Sequence, residues 1–266
     1  MRRFVLALLI AEFVFAVLLL DRPTAPAAPP VAADVPAAPA SSPAVTTATR
    51  LPDGRTAQLI PLGGARSTPV LERIAAELPG AADAITRFWG PDWRRDLVIV
   101  ATGSDAQFTA LAGGGADIAA ATTSDRVVFA PGAAGMTDAA LRIVVRHELF
   151  HHATRQVTAA DAPRWLTEGV ADYVARPRAA APAPELLTAL PTDADLDTAG
   201  ATRSAAYDRA WWFATYVADR YGPQQLRALY VRACGPGHPD PATAIREVLG
   251  LGVDEVLGEW QRWPAR

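Results

Sequence analysis

Cysteine is almost absent from the 266-residue sequence, and neither sign of charge is in clear excess. The single cysteine, Cys234, has no second cysteine with which to form an intramolecular disulfide. Its only histidine neighbour is His238, in a Gly/Pro loop, so a thiol nucleophile is disfavoured. The net charge of −3 gives no sign of the basic excess typical of nucleic-acid-binding proteins. Any reactive site must therefore be built from other residues.

Histidine is also scarce, but three of the four histidines lie in the run RHELFHH at residues 146–152. His147 and His151 are four residues apart, so on an α-helix their side chains differ by only about 40° around the axis. This spacing suits two ligands of one zinc ion. Glu148 lies beside that face, where a carboxylate can take a proton from a water molecule as it attacks a carbonyl. Thr137 and Asp138 are suited to begin this helix.

A catalytic zinc usually takes three protein ligands, and two acidic residues follow at a suitable distance. Glu168 and Asp172 are four residues apart and share one face of a predicted second helix. One carboxylate can bind the metal, and the other can accept the spare N–H of a ligating histidine. A metzincin would need glycine and histidine where this sequence has Thr154 and Val157, so that class is excluded.

The run WLTEG at residues 165–169, together with the HExxH pattern, resembles the gluzincin metallopeptidases and their bacterial "peptidase MA-like" branch. The resemblance covers roughly residues 120–232. It implies three ligands for one Zn²⁺ ion: His147, His151 and Glu168. It further implies that Glu148 is the general base and that Asp172 orients a histidine ligand. No exopeptidase signature is present, so endopeptidase and aminopeptidase action both stay open.

The same resemblance implies residues for substrate binding and catalysis outside the zinc motif. In gluzincins an edge strand of the sheet pairs with an extended substrate, and here that strand is expected at Val127, Val128, Phe129 and Ala130. An ordinary internal strand fits these residues equally well. Tyr207 is expected to stabilise the negative charge that forms on the carbonyl oxygen, with Arg209 as the second choice. The alternative is that Tyr207 has no catalytic role and is an aromatic residue on a helix surface.

The N-terminal residues predict a location outside the cytoplasm. Arg2 and Arg3 precede an apolar run at residues 4–20, which is interrupted only by Glu12. Residues 1–20 are therefore interpreted as a signal peptide or an N-terminal membrane anchor, with the rest of the chain extracytoplasmic. Residues 21–50, rich in proline and alanine, are predicted to be a disordered tether. Residues 51–266 are assigned to a gluzincin-like metallopeptidase domain.

The expected fold class is α+β: a zincin-like domain with a small mixed sheet, the HExxH helix and a helical C-terminal subdomain. Within it, Pro79-Gly80 is predicted to interrupt a helix that begins near Ser67. The expected function is an extracytoplasmic zinc-dependent peptidase that acts on a peptide or protein and contacts the membrane through its N-terminal segment. Two alternatives stay open: a membrane-tethered peptide-binding protein with a non-catalytic zinc site, and a zinc hydrolase of a non-peptide amide.

Overall fold

A computed structural model describes residues 45–113, 118–179 and 183–263 of the chain. These residues form one mixed sheet and a larger set of helices. The strands are β1 (Thr47–Arg50), β2 (Thr56–Pro61), β3 (Asp96–Ala101), β4 (Ala120–Thr122) and β5 (Val127–Phe129). The α-helices are α1 (Thr68–Trp89), α2 (Asp105–Ala112), α3 (Asp138–Thr154), α4 (Arg164–Ala175), α5 (Asp193–Asp197), α6 (Ala201–Tyr221), α7 (Pro223–Cys234), α8 (Pro241–Leu249) and α9 (Val253–Arg262). This mixed α+β architecture is the predicted fold class.

The strands are ordered β1-β2-β3-β5-β4. The three inner strands are parallel, and β1 and β4 pair with them antiparallel. Strand β3 alternates its buried side chains between the two faces of the sheet. Leu97 and Ile99 face the main core, whereas Val100 packs in a smaller cluster with Phe108 of α2. Helices therefore cover both faces, as a strand with apolar residues on both sides requires.

The edge of the sheet differs from the expectation. Strand β5, with Val127, Val128 and Phe129, pairs with β3 on one side and β4 on the other. It is an internal strand, so the prediction that residues 127–130 form the edge was wrong. Strand β4 occupies that edge instead, because the chain turns back after Thr122 and inserts β5 between β4 and β3.

The N-terminal boundary of the folded part also shifts. Strand β1 pairs with β2 from Thr47 to Arg50, inside the range assigned to the tether. The folded part therefore begins before residue 51. Residues 1–20 and most of the predicted tether lie outside the described residues. Among the helices that the structure describes, none combines the length and apolar character needed to cross a membrane.

Helix α4 is held between α3 and α6. A Cβ atom on Gly169 of α4 would lie 2.4 Å from the carbonyl oxygen of Ala210 on α6, so only glycine permits this approach. One turn earlier on α4, the rings of Trp165 and Phe213 are 5.4 Å apart. Going from residue 165 to residue 169 on α4, the contacts on α6 move back from residue 213 to residue 210. The two helices are therefore antiparallel. This packing fixes the face of α4 that carries Glu168.

Candidate metal centre

Helix α3 buries three histidines and a glutamate in its C-terminal half, and His147, Glu148 and His151 are the ones that the sequence assigns to the metal site. The Thr137 side chain caps the helix by accepting a hydrogen bond of 3.2 Å from the backbone N–H of Ala140. His147 and Glu148 are 0 % and 1 % exposed, and His151 is 5 % exposed. The helix is the one that the sequence predicts, and these three side chains face inward. Such groups are costly to bury unless each of them has a partner.

The histidines of α3 meet Glu168 of α4. One ligand atom from each of His147, His151 and Glu168 lies within 4.8 Å of the others. The two histidine Nε2 atoms are 3.0 Å apart, and Glu168 Oε2 is 3.1 Å from His147 Nε2 and 3.5 Å from His151 Nε2. Ligand atoms about 2.0–2.2 Å from a tetrahedral zinc ion are themselves about 3.3–3.6 Å apart. The separation of 3.5 Å lies in this range and those of 3.0 and 3.1 Å lie slightly below it, so a small outward shift of the side chains would let the two nitrogens and one oxygen hold a zinc ion.

Asp172 completes the surroundings of His147. Its Oδ1 atom is 2.9 Å from His147 Nδ1, so the imidazole can donate Nδ1–H to Asp172 while Nε2 points toward Glu168 and His151. Behind Asp172, Arg176 Nη2 lies 2.9 Å from Asp172 Oδ2. This chain of contacts fixes the ring orientation and the tautomer of His147, which is what a metal ligand requires.

The electrostatics of the cluster favour a positive charge between its members. Burial lowers the pKa of His147, but hydrogen bonds and charges from Asp172 and Glu168 outweigh this effect and raise it to about 10. Burial raises the pKa of Glu168, yet the neighbouring histidines hold it well below its usual value. The carboxylate thus stays ionised in a buried position. A donor set of two imidazoles and one carboxylate, with this preference for a cation, suits Zn²⁺.

Glu148 is positioned by the edge strand. The hydroxyl of Thr122 lies 2.7 Å from Glu148 Oε2 and 2.9 Å from the Glu148 backbone oxygen. Burial raises the pKa of Glu148, although the charges of His147 and His151 oppose this shift. The carboxyl group is therefore close enough to the histidines to be affected by them electrostatically. It also has the raised pKa typical of a buried group that accepts a proton.

Tyr207 lies on α6 and is only 1 % exposed, so it is not an aromatic residue on the helix surface, which was the alternative to a catalytic role. Burial lowers the pKa of Arg164, the first residue of α4, but Asp197, the Glu168 carboxylate and the ionised form of Tyr207 raise it above its usual value, so Tyr207 lies near the start of α4. Arg164 also forms an ion pair of 2.7 Å with Asp197 of α5. The structure thus places Tyr207 in the core on the α4 side of α6. Arg209, the second choice, pairs with Asp195 at 3.2 Å.

Three side chains near the site were missed in the sequence. Thr122 is 26 residues from Glu148, and nothing local in the sequence links the two. Arg176, the first residue after α4, follows Asp172 by four residues, so the helical spacing could have indicated it. Arg164 precedes Glu168 by the same spacing. His152, in contrast, is buried but stands outside the three-residue cluster, and burial with the charge of Arg94 lowers its pKa to about 4.

Comparison with known proteins gives structural matches only. No family model and no curated protein matches the sequence. An M1 zinc metallopeptidase from Deinococcus radiodurans superposes with a TM-score of 0.52 at 17% identity, covering 81% of this chain and 50% of its own. A two-domain M1 zinc metallopeptidase variant bound to L-arginine gives a TM-score of 0.50 at 17% identity, covering 82% of this chain and 51% of its own.

These matches confirm the predicted fold class. The chain has a zincin-like α+β fold, and its structural neighbours include M1 zinc metallopeptidases, which are gluzincins. The chain spans about half the length of these neighbours. The cluster of His147, His151 and Glu168 fits the HExxH motif with a downstream glutamate. Fold and cluster together support zinc as the metal that the donors would hold.

Proposed function

We propose that the chain is a gluzincin of the peptidase MA-like branch, a zinc-dependent enzyme that hydrolyses peptide bonds. The observation that carries this proposal is the convergence of His147, His151 and Glu168 from two helices, with Asp172 on the far nitrogen of His147. Zinc, when bound, supplies a Lewis acid that polarises the scissile carbonyl and makes water a better nucleophile. One ion is sufficient for this chemistry.

The protein side chains would handle the protons and the developing charge. Glu148 takes a proton from the attacking water and passes it to the leaving amine. Its bond to Thr122 holds the carboxylate in one orientation during both transfers. Tyr207 donates its phenolic hydrogen to the negative oxygen formed from the carbonyl. Asp172 keeps His147 in the tautomer that binds the metal.

We assign substrate binding to strand β4 and not to β5, because β4 is an edge strand. It lies at the sheet edge, and Thr122 at its end touches the candidate base. An extended peptide that pairs with this edge passes beside Glu148, and backbone pairing of this kind is independent of side-chain sequence. The substrate would therefore be a peptide or an unfolded segment of a protein.

The proposed location is extracytoplasmic, with membrane contact or secretion through residues 1–20. The support is the order of Arg2 and Arg3 before the apolar run, which favours translocation of the chain on its C-terminal side. A reporter enzyme that is active only outside the cytoplasm, fused after residue 266, tests the orientation. Activity of the fusion is expected, and an inactive but intact fusion would contradict it.

A second candidate function is favoured by the burial of the site. The most exposed of the three candidate ligands is His151, at 5 %, and a catalytic metal must be reached by substrate. A zinc ion there could instead stabilise the fold of a peptide-binding protein. Three protein ligands argue against this alternative, since structural zinc sites are usually closed by four.

The deciding experiment uses the full chain loaded with zinc. The protein, a Glu148→Gln variant and a Glu72→Gln control are each incubated with a diverse peptide mixture, and the products are identified by mass. Glu72 is an exposed glutamate of α1 and serves as the matched control. We expect cleavage by the parent and by the control, and none by Glu148→Gln at equal zinc content. Absence of cleavage by all three, with full zinc occupancy, would reject the peptidase and favour the second candidate.

A further inference from the structure

A cavity of about 430 Å³ lies between α1, α4 and α6, and one of its lining residues, Arg146, directly precedes the candidate ligand His147. None of the three candidate ligands lines it, and neither does Glu148. Its volume falls in the range of small-molecule sites, roughly 300–1,000 Å³. Among its walls are Phe88 of α1, Arg146 of α3 and Tyr173 of α4. The cavity is thus a feature of the helical region.

One wall of the cavity is aromatic. The rings of Trp211 and Trp212 are 4.4 Å apart, and those of Trp212 and Trp263 are 5.7 Å apart. Phe88 and Tyr173 form a second pair, with centroids 5.5 Å apart. Flat apolar rings that border a cavity provide stacking surfaces for another flat group. The ligand that fits this wall carries an aromatic ring.

Most of the charged residues that line the cavity are arginines. Arg87, Arg146, Arg176 and Arg178 line the cavity, and Asp219 is the acidic residue among the described lining residues. Three of these arginines already have carboxylate partners on the protein. Arg87 pairs with Asp83, Arg176 with Asp172 and Asp208, and Arg178 with Asp219.

Arg146 differs from the other three arginines in its charge pairing, since no ion pair joins it to a carboxylate in the described part of the chain. Its Nε atom is also buried there without a hydrogen-bond acceptor. A buried donor of this kind costs free energy until an acceptor satisfies it. A guanidinium group binds carboxylate and phosphate best, because its N–H groups match two oxygens at once. The arginine thus supplies the polar half of a ligand site whose apolar half is the tryptophan wall.

We propose that this cavity binds a small aromatic anion, with its carboxylate or phosphate group on Arg146 and its ring against Trp211, Trp212 and Trp263. The ligand class follows from the two halves of the cavity. An inorganic anion leaves the tryptophans unused, and a neutral aromatic molecule leaves Arg146 unsatisfied. None of the proposed zinc ligands lines this site, and its occupancy can be measured whether or not the peptidase centre is active.

The test is calorimetric titration of the zinc-loaded full chain at constant ionic strength. The probes are phenyl phosphate and phenylacetate. Inorganic phosphate and phenol represent the two halves of phenyl phosphate, and acetate represents the anionic half of phenylacetate. We expect one site for each aromatic anion, and affinity at least about tenfold weaker for each half. Absence of binding by both aromatic anions at about 10 mM would overturn the proposal.

Variants on α3 locate the site. Arg146→Gln should weaken binding by about tenfold or more, since a charge-assisted bond is lost. Arg142→Gln is the matched control, because Arg142 is an exposed arginine of the same helix that pairs with Glu77, and it should leave binding within about twofold. If Arg146→Gln does not fold, Arg146→Lys takes its place, and a smaller but clear loss of affinity is expected because the guanidinium fork is absent.

Two outcomes would contradict this location. Equal affinity in the Arg146 and Arg142 variants would mean that the anion does not use Arg146. Binding that disappears with Glu168→Ala, which removes a zinc ligand, and persists with Arg146→Gln would place the anion on the metal ion. Either result would reject the cavity as the binding site.

Discussion

The helix pair α3–α4 and the C-terminal helices α7–α9 bury different kinds of residue. The interior of α3–α4 holds six ionisable side chains among the described residues: His147, Glu148, His151, His152, Glu168 and Asp172. The interior of α7–α9 is formed mainly by apolar residues such as Leu226, Ile245, Val256 and Trp260. Charged pairs such as Arg232 with Glu247 stay at its surface. Because burial of charge is costly, the first region depends on partners for its buried charges, which a metal ion would supply, and the second depends on apolar packing.

The largest expected effect comes from removal of a metal ligand. In Glu168→Ala, zinc affinity should fall by more than about 100-fold. Loss of a residue that only hydrogen-bonds a metal ligand already costs about 10–100-fold in affinity, and loss of a ligand itself should cost more. Peptide hydrolysis should fall to background. Glu247→Ala removes an exposed carboxylate of α8 and should retain one zinc per chain, as measured by elemental analysis. If Glu168→Ala retained its zinc, α3–α4 would not differ from α7–α9 in its dependence on a metal ion.

Truncation in the C-terminal region should affect stability and leave the metal in place. Trp260 is 0 % exposed and packs edge-on against Phe213, with centroids 5.3 Å apart. Trp260→Ala should lower the free energy of unfolding by about 3–5 kcal/mol, measured by urea denaturation. Val231→Ala, at a position that is 51% exposed, should change it by less than about 0.5 kcal/mol. Zinc loss from a folded Trp260→Ala protein would show that the two regions are not independent.

A smaller effect on stability is expected where α4 meets α6. Gly169→Ala places a methyl group 2.4 Å from the Ala210 carbonyl oxygen and should destabilise the protein by about 1–3 kcal/mol. Gly258→Ala in α9 is the matched control. Its methyl group would meet only the end of the Arg262 side chain, at 3.7 Å, so it should stabilise the helix by about 0.5–1 kcal/mol. Equal effects of the two substitutions on the urea midpoint would contradict the close approach of the helices.

The smallest expected effect concerns the outer partner of His147. Asp172→Asn removes the negative charge that accepts the Nδ1–H group and should weaken zinc binding by about 10–100-fold. Competition with a fluorescent chelator measures this change. Asp208→Asn removes another carboxylate that pairs with Arg176 and should leave zinc affinity within about twofold. Similar losses in both variants would mean that Arg176, and not the His147 bond, governs the site.

The residues of the candidate metal centre were easier to predict from the sequence than the residues around it, because the former follow from four-residue spacing within single helices. His147 and His151 on α3, and Glu168 and Asp172 on α4, share helix faces by the four-residue rule, and the structure brings the two faces together. That α3 and α4 would face each other was implied by the resemblance to gluzincins and not by the spacing itself.

Long-range pairing was not predictable in the same way. Whether β5 is internal or at the edge depends on which strand β4 pairs with. Strands β4 and β5 have three residues each, and so short a sequence does not specify a pairing partner. The contact between Thr122 and Glu148 follows from the same arrangement. Pro79-Gly80 does not interrupt α1, because Ile74, Leu78, Ala82 and Ile85 keep one buried face across it. Tertiary packing there outweighs the missing backbone hydrogen bond.

X-ray absorption at the zinc edge of the zinc-loaded full chain tests the proposed metal centre most directly. We predict two imidazole nitrogens and at least one carboxylate oxygen, all at about 2.0–2.2 Å from the ion. In Glu168→Ala this pattern should be lost. A sulfur ligand at about 2.3 Å would point to Cys234, and a third imidazole would point to His152. Either ligand would contradict a zinc site made from His147, His151 and Glu168.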